Sequence, residues 1–205
     1  MPRKNRGGMF VISAPSGAGK TTLCNRISRK VPHLRQSVSF TTRKPRKGEI
    51  NGREYTFISE PEFRRMIGQD DFVEWAVVHG NYYGTSRQRL EDIMAAGFDV
   101  LLDIDTQGAR QIRDSWSGGA YIFILPPSIE VLRERLEKRA SNTPDDMERR
   151  LSRAVEEIRD YGMFDYVIVN DILKDAVKEL EAVVTAERLR SENIDKVWLK
   201  NNFLC

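Results

Sequence analysis

A chain of 205 residues has room for one folded domain, and its 40% hydrophobic and 31% charged residues are ordinary for a globular protein. The 33 Lys and Arg residues exceed the 30 Asp and Glu residues by +3, which is too small an excess to indicate nucleic-acid binding. Two cysteines support neither a disulfide framework nor a zinc site, and no apolar run approaches the ~18 residues of a membrane span, so we expect a cytoplasmic protein that binds neither nucleic acid nor membrane.

The first predicted elements are an apolar strand over residues 9–12, a turn of small residues and a helix with apolar residues at 23, 27 and 31. The turn matches the phosphate-loop pattern G-x-x-x-x-G-K-[ST], except that Ala14 replaces the first glycine. Backbone N–H groups of such a turn bind a phosphate, and the positive end of the next helix points at the same anion. The predicted ATP-binding residues are Ser13, Ala14, Pro15, Ser16, Gly17, Ala18, Gly19, Lys20, Thr21 and Thr22.

Two side chains of this loop have predicted roles in phosphate chemistry. Lys20 would reach the β- and γ-phosphates as a point charge, and the Thr21 hydroxyl would bind magnesium. If position 14 required φ > 0, Ala14 would be strained there. The alternative interpretation is an ordinary strand-to-helix turn with an incidental lysine.

Residues 39–85 interrupt the alternation of strands and helices that runs through the rest of the chain. We predict strands over 36–40, 53–57 and 72–79, a basic glycine-containing loop over 41–52, a helix opened by a capping box at residues 59–62, and a turn over 80–85. These short elements indicate an inserted subdomain. The charges of the basic loop either face solvent or contact a ligand.

The remaining segments alternate between helices and apolar strands, which predicts an α/β domain with a largely parallel sheet. Helices are expected over 86–96, 106–113 and 173–189, with two more starting near 128 and 143, and strands over 100–105, 121–125 and 166–169. Ligands bind at the carboxyl ends of parallel strands, so the phosphate loop, Asp103 and Asp105 should converge on one crevice. Asp103 is placed to hold magnesium, whereas Asp105 could instead cap the helix that follows it.

Several stretches resemble the guanylate kinase family in their order and spacing, and the resemblance covers nearly the whole chain. They are Ser39-Phe40-Thr41-Thr42-Arg43-Lys44-Pro45-Arg46-Lys47-Gly48-Glu49, Asn51-Gly52-Arg53-Glu54-Tyr55, Glu74-Trp75, Gly80-Asn81-Tyr82-Tyr83-Gly84-Thr85 and Asp103-Ile104-Asp105-Thr106-Gln107-Gly108. The resemblance implies magnesium-dependent transfer of the ATP γ-phosphate to GMP, giving ADP and GDP in purine nucleotide metabolism. It also implies the P-loop nucleoside monophosphate kinase fold, with a core (1–38, 86–132 and 160–205), an inserted GMP-binding subdomain (39–85) and a helical lid (133–159).

The resemblance further implies roles for individual residues. The GMP phosphate would be held by Arg43, Arg46, Tyr55 and Tyr83, and the guanine would be read by Ser39, Glu74, Thr85 and Asp105. The catalytic residues would be Lys20 and Arg43, with Arg135 and Arg150 closing from the lid and Arg139 as a third lid arginine on the ATP side. Asn170 would contact adenine, although an asparagine after a strand can also simply form a turn.

The chemistry of the residues agrees with these roles. Planar guanidinium forks suit a phosphate, and a carboxylate such as Glu74 accepts hydrogen bonds from both N1–H and the amino group of guanine. Adenine presents an acceptor at N1, so the same site should reject it.

Two other functions and one assembly question stay open from the sequence alone. The chain could be a different kinase on the same fold, or a binding module like the guanylate-kinase-like domains of scaffold proteins, which recognise phosphorylated peptides. The apolar residues of the tail, 191–205, could pack on the core or on a second subunit, so a homo-oligomer is a further alternative.

Overall fold

The computed structural model of the protein describes residues 6–78, 80–138 and 144–204. Its strands and helices in chain order are β1 (Met9–Ser13), α1 (Lys20–Lys30), β2 (Leu34–Gln36), β3 (Phe40–Thr41), β4 (Thr56–Phe57), α2 (Glu60–Gly68), β5 (Phe72–Val78), β6 (Asn81–Ser86), α3 (Arg87–Ala95), β7 (Asp99–Asp103), α4 (Thr106–Ser115), β8 (Ala120–Leu125), α5 (Ile129–Glu137), α6 (Pro144–Arg159), β9 (Tyr166–Val169), α7 (Leu173–Arg188) and α8 (Lys196–Phe203).

The larger sheet is parallel, with strand order β2-β7-β1-β8-β9, as the alternating pattern predicts. Successive residues of a strand point to opposite faces, so β1 serves two cores. Phe10 and Ile12 pack in one cluster with α1 and α7, while Val11 packs in the other with Leu90 of α3 and Ile112 of α4. Helices on both faces bury the sheet and leave its carboxyl edge as the place where polar residues can meet.

The smaller sheet has strand order β4-β3-β6-β5 and belongs to the segment predicted as an insertion. The prediction of a turn over 80–85 is wrong, because residues Asn81–Ser86 form strand β6, which pairs antiparallel with both β3 and β5. The strand predicted over 36–40 is also wrong as one element, since β2 joins the large sheet and β3 joins the small one. Phe63 and Met66 of α2 and Phe72 of β5 form the buried core of this sheet.

Helices α5 and α6 pack against each other through Leu132, Leu136, Met147, Leu151 and Ala154. Ser128 caps α5 by accepting the Val131 N–H, and Ser59 caps α2 by accepting the Glu62 N–H, as the sequence predicts. Arg139 and the helix start predicted near 143 lie outside the described residues. In the part of the chain that the structure describes, no helix is both long and apolar enough to cross a membrane.

Candidate active site

The phosphate loop leaves the carboxyl end of β1 and enters α1, and its two glycines adopt conformations that favour glycine. Gly17 has φ 97° and Gly19 has φ 91°. A Cβ on Gly19 would lie 2.5 Å from Nδ2 of Asn170, and one on Gly17 would lie 2.9 Å from the Leu132 side chain. Ala14 is not strained, because the only described non-glycine residues with positive φ are His33 and Asp70.

Lys20 and Asp103 meet at the carboxyl edge of the large sheet. The Lys20 Nζ lies 2.9 Å from Oδ1 of Asp103 and also donates to the Ile104 carbonyl, with both side chains less than a fifth exposed. Burial opposes the lysine charge, but the charge and hydrogen bond of Asp103 outweigh it and raise the pKa of Lys20. The residue predicted to contact phosphates is therefore fully charged and held beside the residue predicted to bind magnesium.

Asn170 and Arg135 connect the phosphate loop to the end of β9 and to α5. The buried Asn170 amide donates to the Ala18 carbonyl at 2.8 Å, and Arg135 Nη2 donates to the Asn170 carbonyl at 3.0 Å. Arg135 Nη1 also lies 3.5 Å from the Ala18 oxygen. A hollow of about 300 Å³ beside them is lined by Gly17, Gly19, Thr22, Arg135, Lys138, Asn170, Asp171 and Leu173. Its position next to the loop suits the base of a bound nucleotide.

Glu74 is the buried acid of a second cluster, between β5, β6 and α4. It is 6% exposed, and its Oε1 accepts the Thr85 hydroxyl at 2.5 Å. The pKa of Glu74 is raised to about 7, chiefly by burial; Asp105 adds to the increase, while the Thr85 hydrogen bond and Lys20 reduce it. A Cβ on Gly108 would lie 2.8 Å from Glu74 Oε2, so any larger residue at position 108 would clash with this carboxylate.

Asp105 is the N-cap of α4, because its Oδ1 accepts the Gly108 N–H at 2.8 Å. The capping role that the sequence left open is therefore present, and it holds this carboxylate close enough to affect the pKa of Glu74. Ser39 lies partly buried just before β3, where its carbonyl accepts the Thr56 N–H at 2.9 Å.

Arg43, Tyr55 and Tyr83 form a third cluster in the small sheet. The rings of Tyr55 and Tyr83 are 5.8 Å apart in an edge-to-face contact, and the Arg43 guanidinium lies 5.4 Å from the Tyr55 ring centroid. Hydrogen bonds to Glu49 and to the Tyr83 hydroxyl raise the pKa of Arg43. In contrast, among the described residues the structure shows no hydrogen bond that is donated by the guanidinium group of Arg46 or of Arg150.

Several residues that the sequence analysis did not assign support these clusters. Glu157 of α6 accepts the Ser16 N–H at 3.3 Å, so this helix contacts the phosphate loop directly. The Gln111 side chain bonds both the N–H and the carbonyl of Trp75 and so fixes β5 to α4. The i,i+4 spacing of Arg153 and Glu157 is typical of a solvated ion pair, so the sequence carried no signal for this contact.

Thr21 and Asp103 are the two residues that the sequence analysis predicts as magnesium ligands. Thr21 lies exposed in the first turn of α1, and Asp103 lies at the end of β7, where it pairs with Lys20, the residue before Thr21. Within residues 6–78, 80–138 and 144–204, no three His, Cys, Asp or Glu side chains converge as a metal site. A site with only one or two protein oxygens beside a phosphate loop is suitable for magnesium, because this ion usually takes its other ligands from water and from substrate phosphates.

Comparison with known proteins gives one consistent family. The family model described as guanylate kinase matches residues 6–187. The chain is 55% identical to a guanylate kinase of Geobacter metallireducens over 188 residues, which cover 92% of this chain and 93% of that protein. It is 46% identical to a guanylate kinase of Carboxydothermus hydrogenoformans over 98% of both chains. A crystal structure of guanylate kinase from Anaplasma phagocytophilum matches with a TM-score of 0.80 and 32% identity, covering 99% of this chain and 98% of that one.

Proposed function

Because this chain belongs to the guanylate kinase family, we infer that it is an ATP:GMP phosphotransferase, which converts ATP and GMP into ADP and GDP. The observation that carries this assignment is the pairing of an intact phosphate loop with a buried Glu74–Thr85 pair in the same molecule. The loop suits a nucleoside triphosphate, and the buried carboxylate suits the N1–H and amino donors of guanine. We keep the cytoplasm as a prediction from the cysteine content.

The reaction requires no general base, because the acceptor is already an anionic phosphate oxygen of GMP. That oxygen forms a bond to the γ-phosphorus, the bond from the γ-phosphorus to its bridging oxygen breaks, and ADP leaves with the electron pair. The main barrier is repulsion between two phosphates, so catalysis depends on neutralisation and alignment. We propose Lys20, Arg135 and Arg150 for the ATP side, and Arg43 and Arg46 for the GMP side.

The remaining site assignments follow from position and chemistry. Thr21 and Asp103 would hold magnesium, which when bound neutralises phosphate charge. We propose residues 39–85 as the GMP-binding subdomain, 133–159 as the lid and the rest as the core. Closure of the first two over both nucleotides would exclude water as a competing acceptor.

The acceptor preference tests this function. In a coupled assay for ADP formation, we expect GMP to be used about 10⁴-fold more efficiently than AMP, with UMP and CMP also poor, because unpaired buried polar groups reject the wrong base. ATP hydrolysis without an acceptor should be slow. Equal use of several monophosphates would favour a different kinase on this fold, and no ADP formation with any acceptor would favour a binding module.

The use of GMP should depend on pH through Glu74. Guanine binding requires the ionised carboxylate, and the pKa of this residue is raised to about 7. The groups that face it are Thr85, Asp105 and Lys20, and burial dominates. We therefore expect KM for GMP to fall about tenfold between pH 6 and pH 8, with KM for ATP little changed.

The GMP phosphate itself titrates near pH ~6, so the comparison needs a control. In Glu74→Gln the part of the pH dependence due to the carboxylate should disappear, and only that of the phosphate should remain. An identical pH profile for both proteins would contradict the assignment of Glu74.

A further inference from the structure

One carboxylate contacts both arginines that we propose for the GMP phosphate. Glu49 Oε2 accepts from Arg43 Nη1 at 3.0 Å, and Glu49 Oε1 accepts from Arg43 Nη2 at 2.9 Å. The same Oε2 accepts the backbone N–H of Arg46 at 2.6 Å. The Arg43 and Glu49 side chains are only 14% and 18% exposed, so this is a shielded, bidentate pair.

The hydrogen bonds of Arg43 determine which edge of its guanidinium faces a ligand. A guanidinium has five N–H donors. Glu49 takes the edge formed by Nη1 and Nη2, and the Lys44 carbonyl accepts a further Nη1–H at 2.8 Å. The Nε–H and the second Nη2–H lie along the other edge, which the guanidinium can share between the Tyr83 hydroxyl, to which it also bonds, and the oxygens of a phosphate.

The surroundings of Arg43 restrict its rotation. Its guanidinium lies 5.4 Å from the Tyr55 ring centroid and 5.7 Å from that of Phe57. The Arg46–Glu49 turn is closed from both ends, because the Glu49 N–H donates to the Arg46 carbonyl at 3.1 Å while the Glu49 carboxylate accepts the Arg46 N–H. One side chain therefore sets both the orientation of Arg43 and the path of the backbone that carries Arg46.

We propose that Glu49 is a positioning residue of the GMP phosphate site, which holds Arg43 by one guanidinium edge and Arg46 by its amide so that both arginines address one phosphate. This inference rests on the proposed function. It assigns no contact between Glu49 and the substrate; the carboxylate acts through the two arginines.

Electrostatics and positioning predict opposite signs for the loss of the Glu49 charge. A negative charge beside an anion-binding site repels the anion, so charge alone predicts that its removal tightens GMP binding. Positioning predicts weaker GMP binding, because Arg43 loses the bidentate partner that orients it. The sign of the change therefore separates the two roles.

The test is Glu49→Gln, which keeps the size of the side chain and removes its charge. We expect KM for GMP to rise at least about tenfold and KM for ATP to stay within about twofold of the wild type. Glu54→Gln is the matched control, because Glu54 also accepts a backbone N–H of this loop, that of Ile50 at 2.8 Å, but pairs with Arg53 instead of Arg43. Its KM for GMP should stay within about twofold of the wild type.

A double-mutant cycle shows whether Glu49 acts through Arg43. In an Arg43→Ala background, Glu49→Gln should cause a much smaller further increase in KM for GMP than it does alone. An unchanged or lower KM for GMP in Glu49→Gln would overturn the proposal, as would an undiminished effect in the Arg43→Ala background. Failure of the wild-type protein to phosphorylate GMP would instead refute the proposed function, so the two failures are distinguishable.

Discussion

Glu74→Gln is expected to lower kcat/KM for GMP by about a thousandfold, which corresponds to about 4 kcal/mol of transition-state binding. In the proposed site the Glu74 carboxylate accepts two hydrogen bonds from guanine, whereas a glutamine amide would offer one acceptor and place an N–H against a guanine donor. A buried donor left without a partner costs more than the hydrogen bond itself contributes. Steady-state kinetics with GMP as the varied substrate measure the loss.

The control for this prediction is Glu60→Gln, in the same inserted segment. Glu60 lies exposed on α2 and pairs with Arg64 four residues on, so its replacement should leave the kinetics within about twofold of the wild type. KM for ATP should be nearly unchanged in both variants. Equal losses for GMP and ATP in Glu74→Gln would mean that this carboxylate supports the fold and does not read the base.

The substitution Glu74→Gln should also stabilise the folded protein at alkaline pH. The pKa of Glu74 rises from 4.5 to about 7 on folding, so the folded state binds more protons between these values and its stability falls as pH rises through that window. Above pH 7 the full cost of the buried charge is present, up to about 3 kcal/mol. Glu74→Gln should therefore unfold at a higher temperature than the wild type at pH 8, with little difference near pH 4.5.

Lys20→Met is expected to lower kcat by about a thousandfold or more, because it removes the fixed charge that the phosphate loop presents to the transferred group. Methionine has a similar length and no charge, so the change addresses the ammonium group. Asp103 loses its partner at the same time, and an unpaired, largely buried carboxylate should also lower the thermal stability. Single-turnover measurements, with the enzyme in excess over GMP and with saturating ATP, separate the chemical step from product release.

Lys30→Met is the matched control for Lys20→Met. Lys30 lies on the same helix and pairs with Glu181, but that pair is exposed and remote from the phosphate loop. Activity and stability should both stay close to the wild type, since exposed ion pairs contribute little. Substantial turnover in Lys20→Met would contradict the role proposed for the lysine.

Local patterns in the sequence predicted four of the five strands of the large sheet, β1, β7, β8 and β9, and the capped starts of helices α2, α4 and α5. Apolar runs such as the one before Asp103 belong to strands covered on both faces, and a Ser or Asp before a helix caps it in the structure. The turn predicted over 80–85 failed because Gly80, Asn81 and Gly84 have low intrinsic strand propensity, while β6 is stabilised by its two neighbouring strands.

The sequence by itself determined the α/β class, the phosphate loop and the set of charged residues that can handle phosphates, because these depend on local periodicity and on residue chemistry. Only the tertiary structure decided which charged side chains find which partners. Lys20 pairs with Asp103, Arg43 pairs with Glu49, and Glu157 accepts the backbone N–H of Ser16. The tertiary structure also decided that Glu74 is buried and titrates near neutral pH. Pairing and burial depend on how segments distant in the chain pack together, and a single sequence carries no local signal for that packing.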